Sequence, residues 1–88
     1  MPKHVKMMIL ESCPFCRQAL EIAQTLVAEN PEFAAVQIEV IEESREPEKI
    51  KGYDYWYVPT YFVDDVKIHE GVPSKEKVRQ VFLAALEK

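Results

Sequence analysis

The chain has 88 residues, of which 48% are hydrophobic, so it can bury one modest core and is not a disordered segment. Its 15 acidic and 11 basic residues give a net charge of −4, and no basic stripe is available to neutralise the phosphates of a nucleic acid. No stretch approaches the roughly 18–20 apolar residues that span a bilayer. We therefore expect a single domain over residues 1–88, with neither nucleic acid nor membrane as a partner.

The first half of the chain has the pattern strand–helix–strand. The apolar run Val5–Leu10 predicts a buried strand and is too short for a secretion signal, so we expect a cytoplasmic protein. From Pro14 the apolar residues recur at helical spacing as far as Asn30, and Pro31 then ends the helix. Apolar and polar residues alternate over Val36–Val40, which predicts a second strand parallel to the first.

The second half predicts a short helix, a hairpin and a last helix. Ser44–Gly52 predicts the short helix, with the glycine as its terminator. Tyr61–Val63 and Val66–Ile68 flank Asp64-Asp65, which predicts a hairpin with a short turn. The last helix opens at Ser74. Its apolar residues recur at helical spacing and are Val78, Val81, Phe82, Ala85 and Leu86. The predicted order β-α-β-α-β-β-α gives an α/β fold in which helices flank both faces of a four-stranded mixed sheet.

The only two cysteines, Cys13 and Cys16, are separated by Pro14 and Phe15 and follow the first predicted strand. If they open the helix, both thiols lie on one face of its first turn, where they can close a disulfide ring. The N-terminus of a helix has unpaired N–H groups and partial positive charge, which stabilise a thiolate and make it a nucleophile near neutral pH. In a reducing compartment such a pair is more plausibly catalytic or metal-binding than structural.

A metal site is the main alternative for the cysteine pair. Zinc takes four ligands, typically in two close pairs. The remaining candidates, His4 and His69, are far apart in sequence, and each is expected at the surface. The pattern therefore favours thiol–disulfide exchange.

The residues Cys13-Pro14-Phe15-Cys16, in this element order, resemble the thioredoxin-like superfamily and in particular its glutaredoxin branch, whose dithiol members have Cys-Pro-Tyr-Cys. A second match is Val58-Pro59-Thr60 before the hairpin, where the superfamily has a cis proline that faces the cysteines. A third is Gly71, where glutaredoxins have Gly-Gly followed by acidic residues. Pro73 and Ser74 stand here in place of the acidic pair. The resemblance covers the whole chain.

This resemblance implies a thioredoxin-like fold and a thiol–disulfide oxidoreductase that reduces protein disulfides or glutathione-mixed disulfides. Cys13 would be the nucleophile, and Cys16, one turn deeper, would resolve the mixed disulfide. The implied substrate-binding residues are Pro14, Phe15, Tyr57, Val58, Pro59, Thr60 and Gly71. No bound cofactor or metal is implied, glutathione or a thioredoxin-type reductase would supply electrons, and we expect a monomer.

Two other functions stay open at this point. One is a non-catalytic thioredoxin-like module that binds a partner, and the other is a protein that bridges an iron–sulfur cluster between two copies through Cys13. Among the aromatic residues, core packing is expected for Tyr53 and Trp56, whereas substrate contact is expected for Tyr57. The acidic run Glu42–Glu46 is expected to be solvated and to start a helix.

Overall fold

The computed structural model describes residues 2–87. Its strands and main helices, in chain order, are β1 (Val5–Ile9), α1 (Pro14–Glu29), β2 (Ile38–Glu42), β3 (Thr60–Val63), β4 (Val66–Glu70) and α2 (Lys75–Leu86). Two short 3₁₀ helices lie in the connections, at Pro31–Ala35 and Pro47–Lys49. Among the described residues, no helix is long and apolar enough to cross a membrane.

The four strands form one mixed sheet in the order β2-β1-β3-β4, which confirms the predicted α/β fold. β1 is parallel to β2 and antiparallel to β3, with Met8 opposite Thr60. β3 and β4 form the predicted hairpin. Its turn residues Asp64 and Asp65 have φ values of 47° and 67°, the positive values that favour Asp in a two-residue hairpin turn.

The pairing of β3 with β4 slips by one residue along the hairpin. Phe62 lies opposite Lys67, whereas the preceding residue, Tyr61, lies opposite His69, so β4 contains one extra residue. Such a bulge changes the face to which the following side chains point. Glu70 therefore shares a face with Lys67, three residues before it, and the two side chains form an ion pair of 2.8 Å.

Both main helices cover the same face of the sheet, which we call the helix face. Its buried side chains are Val5, Met7, Ala19, Leu26, Phe33, Val36, Tyr61, Val63, Val78, Val81, Phe82 and Ala85. Phe33 stacks on Phe82 with ring centroids 4.8 Å apart. Ser74 caps α2 by accepting a hydrogen bond of 3.1 Å from the Lys77 N–H, so the last helix opens at the predicted residue.

The opposite face, which we call the loop face, is covered by an irregular segment instead of a helix. Its buried side chains are Met8, Ile41 and Phe62, with Ile50, Tyr53, Tyr55 and Val58 packed against them. The prediction of a helix over Ser44–Gly52, and of helices on both faces, is therefore wrong. Only Pro47–Lys49 forms a 3₁₀ turn. Gly52, with a φ of 87°, follows so soon after the proline that too few residues remain to nucleate an α-helix.

The other element boundaries are close to those predicted. α1 begins at Pro14 and ends before Asn30, as expected, and β1 ends one residue early, at Ile9. β2 begins two residues later than predicted, at Ile38. The reason is that a 3₁₀ helix precedes it and Val36 packs into the helix face.

The hydroxyl of Tyr61 is buried in the helix face and has no hydrogen-bond partner within residues 2–87. Leaving a buried hydroxyl unpaired costs about 1–3 kcal/mol. Tyr61→Phe is therefore expected to raise the free energy of unfolding, measured by urea denaturation.

Tyr55→Phe is the matched control, because the Tyr55 hydroxyl donates to the Glu43 carboxylate. Loss of this bond should lower the free energy of unfolding by about 1 kcal/mol. A loss of the same size in both variants would contradict the prediction for Tyr61.

Candidate active site

The two cysteines and the proline motif meet at one end of the sheet. Because β1 and β3 are antiparallel, the residues that follow β1 lie beside those that precede β3. A turn leads from β1 into α1, with the Cys13 N–H bonded to the Leu10 carbonyl at 3.0 Å. The Val58–Pro59 bond is cis, as the resemblance implies. Cys13 Sγ lies 3.7 Å from the Val58 carbonyl oxygen, so the expected nucleophile and the expected substrate-binding backbone are in contact.

Cys13 is the N-cap residue of α1, and Pro14 begins the helix. The Cys13 carbonyl accepts the N–H groups of Cys16 at 3.2 Å and of Arg17 at 3.4 Å. No side chain of residues 2–87 caps this helix end, and the first turn contains no acidic residue. The positive end of the helix dipole therefore lies beside Cys13.

Cys16 differs from Cys13 in its exposure. Its side chain is only 2% exposed, whereas Cys13 is half-buried, and both are free thiols. Burial is the main cause that raises the pKa of the Cys16 thiol to about 12, and the neighbouring Cys13 adds to it. A cavity of about 320 Å³ opens beside both cysteines. The site therefore holds one accessible thiol and one protonated thiol beneath it.

Charged side chains at and after the end of β2 hold the turn that precedes the cysteines in place. The carboxylate of Glu11 pairs with Arg45 at 2.5 Å, and the Glu11 N–H donates to Glu42 Oε2 at 2.8 Å. Hydrogen bonds, first from the Ser44 hydroxyl and then from the Glu11 N–H, lower the pKa of Glu42 to about 2. The expectation that Glu42–Glu46 starts a helix is wrong, because Glu42 ends β2 and its carboxylate holds the neighbouring turn.

The loop before β3 exposes some of the predicted substrate-binding residues and buries others. Tyr57 is exposed and Val58 is half-buried, whereas Pro59 and Thr60 are fully buried. The assignment of Pro59 and Thr60 as substrate-binding residues stays a prediction, and in the structure both side chains are buried where the chain enters the inner strand β3. The Thr60 hydroxyl donates to the Tyr57 carbonyl and closes the turn that presents Val58.

Gly71 supports this turn from β4 and does not face the cysteines directly. Its N–H donates to the Pro59 carbonyl at 3.0 Å. A Cβ would have room there, so the φ of 96° is the reason that glycine suits the position. Gly71 therefore supports the site by holding the Pro59 carbonyl.

Two further predicted substrate-binding residues, Pro14 and Phe15, are exposed in the first turn of α1, beside Cys13.

Trp56 is the residue whose position differs most from its prediction. Its side chain is 85% exposed, so the expectation of core packing is wrong for Trp56 and right for Tyr53, which packs edge-on against Phe62. The loop face is already filled by Tyr53 and Tyr55. Trp56 and Tyr57, which is 70% exposed, form what we call the aromatic pair, directly before Val58.

Glu70 is a site residue that the sequence did not reveal. Its Oε2 accepts the backbone N–H groups of both Trp56 and Tyr57, the second at 2.9 Å, while its Oε1 pairs with Lys67. The bond from Lys67 is the main cause that lowers the pKa of Glu70 to about 2, followed by the two N–H groups. The sequence does show a carboxylate directly before Gly71. It does not show that this carboxylate points to the loop before β3, because that direction depends on the bulge in β4.

The two histidines have structural partners. His4 Nε2 lies 3.0 Å from a carboxylate oxygen of Glu39, at the surface as expected. His69 is 91% buried by contrast, and its Nε2 lies 3.1 Å from the Gly71 carbonyl, so the prediction of a surface position is wrong for His69. Among residues 2–87, no three His, Cys, Asp or Glu side chains are placed to hold one metal ion.

Comparison with known proteins gives matches that extend over nearly the whole chain. Residues 3–83 match the family model described as a thioredoxin domain. A protein disulfide oxidoreductase from Aeropyrum pernix K1 aligns with a TM-score of 0.69 and 25% identity over 97% of this chain. This chain spans only 38% of that protein's length. None of the curated proteins compared with the chain matches it.

Two thioredoxins share the fold at lower identity. Fasciola hepatica thioredoxin has a TM-score of 0.68 and 17% identity, covering 96% of this chain and 81% of its own. Reduced desulfothioredoxin from Desulfovibrio vulgaris Hildenborough has a TM-score of 0.66 and 17% identity, covering 96% and 82%. These structures show that the chain has the thioredoxin-like fold, and the family model shows that it belongs to the thioredoxin domain family.

Proposed function

We propose that the protein is a thiol–disulfide oxidoreductase in which Cys13 is the nucleophile and Cys16 the resolving thiol. The observation that carries the proposal is the 3.7 Å contact between Cys13 Sγ and the Val58 carbonyl, with Cys16 buried beside it. The similar protein from Aeropyrum pernix is described as a protein disulfide oxidoreductase, which supports the same reaction class. Because glutathione and thioredoxin systems keep thiols reduced in the cytosol, a disulfide-reducing protein can be returned to its dithiol form there, and we propose the cytoplasm as the location.

In the first step the Cys13 thiolate attacks one sulfur of a substrate disulfide. A bond forms between Cys13 Sγ and that sulfur while the substrate S–S bond breaks, and the other half leaves as a thiolate that takes a proton from water. The N-terminus of α1 stabilises the attacking thiolate. The backbone of Val58 lies beside the reacting sulfur and would bind an extended substrate segment by strand-like pairing.

In the second step Cys16 loses its proton and attacks Cys13 Sγ. The Cys13–Cys16 disulfide forms while the bond between Cys13 Sγ and the substrate sulfur breaks, and the second half of the substrate takes up a proton and leaves as a thiol. Because burial raises the pKa of Cys16, this thiol stays protonated and does not attack outside disulfides first. Each cycle gives two electrons to the substrate, and an external thiol must then reduce the protein disulfide.

The residues after Gly71 favour protein disulfides over glutathione-mixed disulfides. Glutaredoxins have acidic residues there, whereas this chain has Pro73, which is buried, and Ser74. The Ser74 hydroxyl already accepts the Lys77 N–H as the cap of α2. No carboxylate at these two positions can bind the amino group of glutathione. We therefore propose a thioredoxin-type reductase as the electron donor.

Replacing Cys16 by Ser should trap the first intermediate, because Cys13 can still attack but nothing inside the protein resolves the product. We expect a stable mixed disulfide between this variant and a substrate protein such as insulin, detected by mass spectrometry without reductant. Cys13→Ser is the matched control and should form no adduct. An equal adduct on Cys16 in that control would reverse the assigned roles.

The difference in exposure between the cysteines predicts selective alkylation. Because burial raises the pKa of Cys16 to about 12, this thiol is almost entirely protonated at pH 8. Iodoacetamide should therefore modify the native protein once, at Cys13, and modify Cys16 only after denaturation or near pH 12. Peptide mapping identifies the sites, and equal rates at both thiols in the native protein would contradict the proposed asymmetry.

The electron donor can be tested with two assays run side by side. We expect insulin reduction driven by NADPH and a thioredoxin-type reductase to exceed turnover of a glutathione-mixed disulfide driven by glutathione. The opposite order would identify glutathione as the donor. Failure of both assays would contradict the proposed activity and favour the non-catalytic module or the cluster-bridging protein.

A further inference from the structure

The loop that carries the aromatic pair is fixed to the end of β4 on both sides of Val58. Before Val58, the Trp56 and Tyr57 N–H groups both donate to Glu70 Oε2. After it, the Pro59 carbonyl accepts the Gly71 N–H at 3.0 Å. The backbone that contacts Cys13 is therefore held by one short stretch of β4.

The side chains of this fixed loop point away from the core. Trp56 is 85% exposed and Tyr57 is 70% exposed. An isolated exposed apolar residue is ordinary, but here two large aromatic residues that are neighbours in sequence are both exposed on an anchored backbone, directly before Val58. Their exposure is not the result of an unattached loop, because both of their N–H groups are bonded to Glu70.

We infer that Trp56 and Tyr57 form a recognition surface for the polypeptide chain of a disulfide substrate, and that Glu70 is the positioning residue that holds this surface beside Cys13. The inference rests on the proposed function. The reacting substrate cysteine would lie next to Val58, which contacts Cys13 Sγ. Trp56 and Tyr57 precede Val58 by two residues and one residue.

This placement selects substrates by length. An extended chain advances about 3.3 Å per residue, so the aromatic pair is within reach of substrate side chains one or two positions from the reacting cysteine. Glutathione has one residue on each side of its cysteine and no large apolar side chain. A protein disulfide with an apolar side chain at these positions can cover the pair, and buried aromatic side chains often dominate binding energy. We therefore expect a preference for such protein disulfides.

The charge of Glu70 suits the positioning role. Its side chain is 18% exposed, and it accepts two N–H groups and pairs with Lys67. Because these contacts lower the pKa of Glu70 to about 2, the carboxylate is charged throughout the neutral range in which thiols exchange.

The recognition surface can be tested with two peptides and a small disulfide. Both peptides carry a cysteine disulfide-bonded to mercaptoethanol, and they differ in having Phe or Ala two positions from that cysteine. Hydroxyethyl disulfide is the small substrate. For the native sequence we expect kcat/KM to be higher for the Phe peptide than for the Ala peptide. Trp56→Ala should reduce this preference about tenfold, through KM, because truncation of a central aromatic contact costs at least that much.

The role of Glu70 requires variants that separate its hydrogen bonds from its charge. Glu70→Ala removes the acceptor of both N–H groups and should reduce the Phe-to-Ala preference about tenfold, as Trp56→Ala does. Glu70→Gln keeps an acceptor oxygen and should restore most of the preference. Lys67→Met removes the ion pair and the hydrogen bond of 3.2 Å from Lys67 to the Asp54 carbonyl, leaves both N–H bonds to Glu70 in place, and should also keep most of the preference. A merely structural role for Glu70 would instead lower the melting temperature and kcat/KM for all three substrates in parallel.

The outcomes distinguish this inference from the proposed function. If the native protein reduces none of the three substrates, the proposed function is wrong. If it reduces them without preferring the Phe peptide, or if Trp56→Ala keeps the whole preference, the recognition surface is wrong while the oxidoreductase activity stands. If Trp56→Ala loses the preference and Glu70→Ala keeps it, the aromatic pair recognises substrate without the help of Glu70.

Discussion

The antiparallel pairing of β1 with β3 is the constraint on which the site depends. The last residue pair of this ladder joins Met8 to Thr60, so the chain leaving β1 and the chain entering β3 are side by side at one end of the sheet. Cys13 lies in the connection that follows β1, and Val58 lies in the connection that precedes β3, so the two residues are in contact. The central position of β1, with β2 on its other side, stabilises the arrangement by burying it between two strands.

A single helix start gives the two thiols different chemistry. Cys13 caps α1 and is accessible, whereas Cys16 lies in the first turn on the buried side, where its pKa rises. The three-residue spacing therefore lets the two sulfur atoms meet. It also gives the exposed Cys13 the role of nucleophile and the buried Cys16 the role of resolving thiol. The end of β4 completes the site by fixing the loop that contacts Cys13. The reactive thiol and the backbone beside it are therefore positioned by separate elements.

The sequence predicted the elements that depend on local periodicity and failed where tertiary packing decides. The helical spacing after Pro14 and the turn at Asp64 were sufficient signals. The helix predicted over Ser44–Gly52 is absent because too few residues lie between Pro47 and Gly52 to nucleate it, and the aromatic side chains that follow, of Tyr53 and Tyr55, cover the sheet without it. In the site, the cysteines were evident from their spacing. Trp56 was assigned to the core because hydrophobicity alone does not reveal which aromatic residues fill a limited space.

The bulge in β4 determines which of its side chains reach the site. In a regular strand, residues three apart point to opposite faces, so Lys67 and Glu70 would not share one. The extra residue reverses the alternation after Lys67 and directs Glu70 toward the loop face. If the same residues paired without the bulge, Glu70 would point to the opposite face and could not accept the Trp56 and Tyr57 N–H groups. A homologous hairpin that is shorter by one residue and lacks the bulge is expected to present the same side chains to this loop, so a gap in an alignment here can mark a change of backbone without a change of chemistry.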